Sequence, residues 1–567
     1  MSSIMEKTDV SSSKHSFTFE PSSDEVGKAA EIVDTHENFY DDQGDIDNPE
    51  ELAELGYKQE FRRQLSLFGI FSISFSVLGM LPSVASTLVF GLWYVGYPGL
   101  LWAWLIAMFF LICVSMSMAE ICSAMPTSGG LYYAAAVFAP KGWGPLASWI
   151  TGWSNYIGNI IGQPSVNSSA ASMILGAVTV NRPDFVIQRW QWFLLAVAIQ
   201  CFNCVLACLP TRIISRINGV ATYLNTAFLF IAGITILAYG GKNHNFVKGT
   251  KIWGDYINTT QWPTGFAILL SFNSPIWTMS GYDAPFHLSE ECSNASVNAP
   301  KAIVMTAVIG GVVGWIMQII VAYTLTDIDS VMNTSGSMWT AYLVQAMPPK
   351  AALGILSLTI ISAIIMGQSA LIASSRIAYS YARDGILPFS GWIGTVNPYT
   401  QTPVNAVICN CIISILILFL TFAGTVTLDA VFSVGAVAAF IAFTVPIAIR
   451  VFFTKDADFR RGPWNLGKFS RPIGLLAVSF VALMIPILCF PSVKNPTAQE
   501  MNWTCLVYGG PMLFTLVWYA ISARKWFKGP KASAHYKRPG EESSDIVEGV
   551  QADIPSSSDQ LKIKGDL

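Results

Sequence analysis

The residues best placed to bind something lie in two interrupted hydrophobic stretches. The first reads Phe75-Ser-Val-Leu-Gly-Met-Leu-Pro-Ser83, with Gly79 and Pro82 inside it; the second reads Ser274-Pro-Ile-Trp-Thr-Met-Ser-Gly-Tyr-Asp283. A helix in lipid must satisfy its own backbone, so breaks survive only where they are packed in protein or line a cavity. A half-helix ending within the membrane presents unpaired N–H groups, and its dipole favours an anion there. A carboxylate could dock on amides near Pro82–Val84 and Met279–Gly281, with unwound carbonyls facing an ammonium. Trp277 and Tyr282 beside the second break could close over a ligand or form a cation–π contact. One kink alone is ordinary in a membrane span. Two at matched positions, five spans apart, point to a transporter built from inverted repeats with substrate at the midplane.

Asp283 follows the second break. Intramembrane acids are costly and mark function; this one binds a proton, pairs with a gate residue, or caps and fixes the break, and residue type leaves these open. Glu120, Glu290 and Glu291 fall near span ends, opposite Arg376 and Arg383 on another. A salt-bridged inner gate and a solvated charged surface both fit that placement. Asn155, Asn159, Gln163 and Asn167 recur every four residues and share a helix face. Such a stripe either lines the substrate path or ties helices together. His287 reads as a packing residue, and Cys201, Cys204 and Cys208 read as small packing residues rather than metal ligands. No Gly-rich phosphate loop, His/Glu metal pair or nucleophile elbow occurs. The sequence therefore argues against an enzyme and implies no cofactor, no metal and no nucleic-acid partner.

These residues need membrane helices to hold them. The 567-residue chain is 52% hydrophobic and 12% charged, with mean hydropathy +0.48. Residues 1–55 hold fifteen of the 36 acidic residues and residues 541–567 seven more, leaving fourteen for the 485 positions between. That asymmetry predicts a disordered acidic tail (1–60), a membrane transporter domain (61–528) and a second tail (529–567). Twelve spans are expected, near 66–91, 99–121, 144–176, 190–210, 216–240, 263–289, 301–326, 350–378, 402–424, 427–452, 472–491 and 502–524. The connection 122–143 is too polar to span and is expected along the interface. With the N-terminus inside, nineteen Lys and Arg face the cytosol against seven outside, which puts both tails in the cytosol. The sequons at Asn258 and Asn333 then fall outside and are glycosylation candidates. Lys7, Lys14 and Lys28 beside Ser-rich runs offer ubiquitin-ligase machinery a foothold on the first tail.

Several motifs along the core carry a family likeness. They include Glu54-Leu-Gly-Tyr-Lys-Gln-Glu60, Ala119-Glu120 with Pro126-Thr-Ser-Gly-Gly-Leu-Tyr-Tyr133, Ser280-Gly-Tyr-Asp283 and His287-Leu-Ser-Glu-Glu291. Ala382-Arg-Asp-Gly-Ile-Leu-Pro388, Arg461-Gly-Pro-Trp-Asn-Leu-Gly467 and Met501-Asn-Trp503 extend the pattern. The chain resembles the amino acid–polyamine–organocation permeases, and within them the fungal amino-acid/choline transporter branch. The resemblance implies an all-α polytopic membrane protein of twelve helices: a LeuT-type 5+5 inverted repeat, with discontinuous helices 1 and 6, plus two peripheral helices. It implies alternating access and carries substrate contacts onto Gly79, Met80, Leu81, Pro82, Ser83, Val84, Trp277, Thr278, Met279, Ser280 and Gly281. Coupling or gate candidates are Asp283, Tyr282, Asn225, Glu120, Arg376 and Arg383. Within the branch, the opening motif and Leu78-Gly-Met-Leu-Pro-Ser83 look most like γ-aminobutyrate permeases, with choline or polyamine carriers as the alternative. The implied activity is import of γ-aminobutyrate or a related amine, coupled to protons, at the plasma or a vacuolar membrane. A non-transporting nutrient sensor is the rival from another class. One departure is that many prokaryotic members place a Lys midway along the fifth span where a sodium ion would sit, and this chain has Asn225 there.

Overall fold

The computed structural model describes residues 63–242, 246–334, 336–422, 425–456, 459–497 and 501–530, with the backbone alone for 425–432. The tails expected over 1–60 and beyond 530, with Lys7, Lys14 and Lys28, lie outside the described residues.

The described chain is helical, and its one β-type pairing is an isolated bridge between Leu65 and Cys292. The helices in order are α1 (Leu67–Leu78), α2 (Met80–Val95), α3 (Tyr97–Ala124), α4 (Leu131–Phe138), α5 (Gly144–Asn181), α6 (Arg189–Ala207) and α7 (Thr211–Lys242). Then come α8 (Gly249–Gly254), α9 (Thr264–Ser271), α10 (Asn273–Thr278), α11 (Ala284–His287), α12 (Ala295–Thr324), α13 (Ile328–Met332) and α14 (Met338–Ala346). The chain continues through α15 (Pro349–Arg383), α16 (Ser390–Ile393), α17 (Val404–Leu418), α18 (Thr425–Phe452), α19 (Ser470–Ile487) and α20 (Thr504–Trp518).

Among the described residues ten helices are long and apolar enough to cross a membrane, counting α1 and α2 as one span. Two of the twelve expected segments fall short of that measure for physical reasons. Helix α5 is 38 residues long but carries the Asn/Gln stripe, and 264–291 is cut into α9, α10, α11 and a final 3₁₀ turn. Both are largely buried, so protein rather than lipid surrounds their polar groups.

Small residues set the close crossings. Gly310, Gly311 and Gly314 open one face of α12, where Leu78, Met80, Met108 and Trp104 come within contact of the glycine backbones. Trp104 Nε1 donates to the Gly311 carbonyl at 2.9 Å. Gly158 of α5 likewise admits the α18 backbone, with a would-be Cβ only 3.1 Å from Ala439 N. Without a hydrophobic drive between helices in lipid, such close packing is what holds them together.

The 122–143 connection is packed within the protein. Its α4 is buried, with Leu131, Tyr132, Tyr133, Ala134 and Ala135 all inaccessible. Gly130, at φ +51°, turns the chain under Phe286 and tucks α4 against α5 and α18.

Candidate functional site

The first break occupies one residue. Gly79 adopts φ 47°, ψ 63°, a left-handed conformation that ends α1 and starts α2 at once. A Cβ there would lie 2.6 Å from Met366 Sδ of α15, so the glycine is needed for conformation and for space. Pro82 falls in the first turn of α2, where its missing N–H belongs to the set that has no intrahelical partner anyway. The amides of Met80 and Leu81 share that turn and lead the α2 dipole. Ser83 Oγ donates back to the Leu78 carbonyl at 2.6 Å and closes one orphaned acceptor of α1. All six residues from Gly79 to Val84 are buried, the Met80 side chain against α12.

The second break runs over Met279–Asp283, between α10 and α11. Ser280 turns back on Trp277, its N–H and Oγ both donating to the Trp277 carbonyl. Gly281, at φ 104°, has Val77 of α1 where a Cβ would point, and Ser74 Oγ donates to its carbonyl at 3.2 Å. The second break therefore packs on the last turns of α1. Beside them Trp277, Met366 and Val166 form a small apolar cluster separate from the main core. A hydroxyl line backs it: Thr87 pairs with Thr278 at 2.9 Å and Ser274 with Thr87 at 3.1 Å. Tyr282 is buried against Phe443, ring centroids 5.7 Å apart, and its hydroxyl has no hydrogen-bond partner among the described residues.

Asp283 is 4% exposed and His287 fully buried one turn on, with Oδ2 3.6 Å from Nε2. His287 Nδ1 lies 3.1 Å from the Ser128 carbonyl, and Nε2 lies 3.0 Å from Asn155 Nδ2. This pairing goes beyond the packing role expected for His287. The i,i+4 spacing from Asp283 was the available signal.

Beyond α11 the chain enters a layer of paired charges. Arg376 Nε meets Glu291 Oε1 at 2.8 Å, with both side chains buried. Arg383 makes a two-pronged pair with Glu290 at 3.0 Å per contact, and Glu290 Oε1 accepts from Ser128 N. Leu65, ahead of α1, closes the same end by pairing its backbone with Glu291 and Ser293 at 2.9 Å each. Glu120 is not part of this layer. It accepts from Leu466 N at 3.1 Å and Ser470 Oγ at 2.5 Å, seating the 462–470 loop on the end of α3.

The α5 stripe serves several partners. Gln163 bonds Ser374 and Ser414, and Asn167 bonds Gln200 and Asn203, which ties α5 to α6, α15 and α17. These two are helix glue. Asn155 instead reaches His287 of α11, just past the second break, and Asn159 is half-buried and turned onto Asn155. Asn225 of α7 accepts from Ser362 Oγ of α15 at 2.8 Å and leaves its buried Nδ2 without a partner. Of the sequons, Asn333 is exposed, whereas Asn258 is half-buried with Nδ2 donating to the Trp262 carbonyl and Oδ1 accepting from Thr260.

The amino acid permease family model matches residues 65–511. An uncharacterized amino-acid permease of Schizosaccharomyces pombe is 63% identical over 520 residues, 92% of each chain. A Candida albicans protein named "Putative polyamine transporter" is 43% identical over 528 residues, 89% of this chain and 94% of that one. The GABA-specific permease of Saccharomyces cerevisiae is 30% identical over 526 residues, 91% and 90% of the two chains. The relatives are transporters and not enzymes. The chain, a multi-pass membrane protein, belongs to the amino acid permease family.

Proposed function

We propose that the protein is a secondary active carrier of twelve spans that imports a small zwitterionic amino compound, with γ-aminobutyrate the first candidate, by proton-coupled alternating access. Both tails face the cytosol, the membrane is the plasma membrane, and ubiquitin-ligase machinery acts on the first tail. The observation carrying this reading is that Gly79 of the first break faces Met366, which clusters with Val166 and with Trp277 just ahead of the second break. The positive end of α2 there suits a carboxylate, a helix-end contact contributing about 0.3–1 kcal/mol. The carbonyl ends of α1 and α10 suit an ammonium. The apolar cluster suits the methylenes between, with the Met366 thioether free to adapt in shape.

A polyamine is the second reading, favoured by the identity to the Candida albicans relative. It needs acidic partners for two or more ammonium groups. Among the described residues near the breaks, Glu290 and Glu291 are committed to Arg383 and Arg376, and Asp283 faces His287. That leaves the zwitterion as the better fit. Radiolabelled uptake in cells stripped of their own permeases decides, using a panel of γ-aminobutyrate, other amino acids, putrescine, spermidine and choline. Accumulation of putrescine but not γ-aminobutyrate would reverse the order. Binding without accumulation of any compound would favour a sensor.

A further inference from the structure

We infer that the coupling proton is carried by Asp283 and His287 as a pair, and that loading it releases the second break from α5. The assignment rests on the proton-coupled carrier reading above.

The hydrogen-bond inventory fixes the state shown. The Ser128 carbonyl accepts only, so His287 Nδ1 carries a hydrogen towards it. Asn155 Nδ2 has two hydrogens and two neighbours, His287 Nε2 at 3.0 Å and Tyr381 Oη at 3.1 Å. Asn155 Oδ1 is occupied as an acceptor by Asn159 Nδ2 at 3.0 Å. The His287 Nε2 lone pair therefore accepts from Asn155, and the imidazole is neutral. Asp283 Oδ2, at 3.6 Å from the same nitrogen, receives no hydrogen from the ring.

The surroundings leave this pair as the place for a mobile proton. Helix α1 brings no titratable residue to α11, and Lys301 of α12 is exposed. Arg376 and Arg383 of α15 are each committed to a glutamate of the 3₁₀ turn after α11. Tyr381 of α15 bonds Asn155, and Tyr132 of α4 packs on Tyr381 and donates to Asp384. Tyr156 of α5 donates to Asn410, and Tyr282 adjoins Asp283 without a partner for its hydroxyl. Among the described residues no arginine or lysine pairs with Asp283, so without a proton the pair carries one net negative charge. With one proton it is neutral, whether the proton sits on Nε2 or on the carboxyl.

A proton arriving from water on Nε2 takes the lone pair that Asn155 now uses. The new N–H turns to Asp283 as an imidazolium–carboxylate pair, a charge-assisted contact stronger than the amide bond it replaces. Asn155 then loses its hold on α11, and the break is free to move relative to α5. Release of the proton to the other side restores the bond. Charge and conformation are thus linked through one nitrogen.

The test uses the full-length protein in proteoliposomes, with whichever panel compound the wild type accumulates. Asp283→Asn and His287→Gln are expected to keep substrate exchange within about threefold and to lose at least tenfold of proton-driven accumulation. Asn155→Ala keeps both titratable groups and frees Nε2. It is expected to retain exchange and to shift the pH profile of accumulation, because the lone pair that takes the proton is no longer held by Asn155. If the first two variants fail to reach the membrane, the Asn155→Ala profile decides alone. Wild-type accumulation in either Asp283→Asn or His287→Gln, or an unshifted Asn155→Ala profile, overturns the assignment while leaving the carrier reading intact. A wild type that accumulates substrate without proton entry overturns the coupling reading and the assignment together.

Discussion

The two interruptions solve the same backbone problem by different means. At Gly79 one left-handed residue ends a helix and begins the next, and Ser83 closes the carbonyl left behind. No charge lies in that segment. At Met279–Asp283 five residues unwind, and the chain emerges through a buried acid, a buried histidine and two glutamates held by arginines. The first break is a fixed, neutral cradle whose helix ends suit a ligand's charges. The second is followed by a histidine hydrogen-bonded to α5 and by two glutamates ion-paired to α15, and on the proposed reading its position responds to protonation. On the proposed reading, both breaks offer helix ends to the ligand, and switching rests on the second.

The most severe disruption of this division of labour is Gly79→Leu. The side chain would need φ near +47° and the space of Met366, and a left-handed non-glycine residue alone costs about 1–2 kcal/mol. Uptake should fall to background while fluorescently tagged protein still reaches the membrane. Normal uptake would remove the substrate from the first break. The matching change at Gly281, Gly281→Ala, meets Val77 and should impair transport less, since a turn of five residues can redistribute strain.

Next in size is Arg376→Met. It leaves Glu291 buried without its partner, which costs about 3–5 kcal/mol, and thermal unfolding in detergent should register the loss. Adding Glu291→Met should recover most of it, because two apolar groups need no counter-charge. If the double variant is as unstable as the single one, the pair is not the source of the effect. Transport should fail in both if the layer gates the cytosolic side.

How far these features could be read from the sequence follows the range of the interactions. Spans were legible because twenty or so apolar residues leave few alternatives, and the first break because Gly and Pro interrupt them. Its exact residue was less so: Pro82 looks like part of the break, yet a first helical turn accommodates proline without strain. The placement of Arg376 and Arg383 opposite Glu290 and Glu291 left a salt-bridged gate and a solvated surface both open, and burial of the pairs decides for the ion pairs. Glu120 has the same type and placement, but its partners lie in the 462–470 loop, a distance in sequence that no local pattern spans. The connection holding α4 was expected along the interface because 122–143 is too polar to span. Its burial depends on Gly130 meeting Phe286, again a long-range contact. His287 stood one helical turn from Asp283 all along; what the sequence lacked was Asn155 beside it.

A smaller effect sharpens the comparison from the neutral side. Ser83→Ala removes the hydroxyl that satisfies the Leu78 carbonyl. Leaving a buried acceptor unpaired costs about 1–3 kcal/mol. The expected result is lower thermal stability with KM raised several-fold and the pH profile of uptake unchanged. A shifted pH profile in this variant would mean that the first break also takes part in coupling, and the division between the two would fail.

The smallest change probes the charged side at a residue that bears no charge. Tyr282 was a gate candidate, and its ring lies against Phe443 at the edge of the second break. Its hydroxyl is buried without a partner in the state described. Removing such a group relieves an unmet desolvation cost, so Tyr282→Phe should be neutral or stabilising by up to about 1 kcal/mol. The ring contact survives, so a purely steric gate keeps working and uptake stays within about twofold of the parent. A hydroxyl that finds its partner only in another state, on substrate or on the Asp283 carboxyl, predicts the opposite: unchanged or higher stability together with a tenfold loss of uptake. Measuring stability and uptake on the same preparation separates the two, because a folding defect would lower both. The second outcome would extend the switching function of this break from Asp283 and His287 to its neighbour, whereas the first would confine it to the titratable pair.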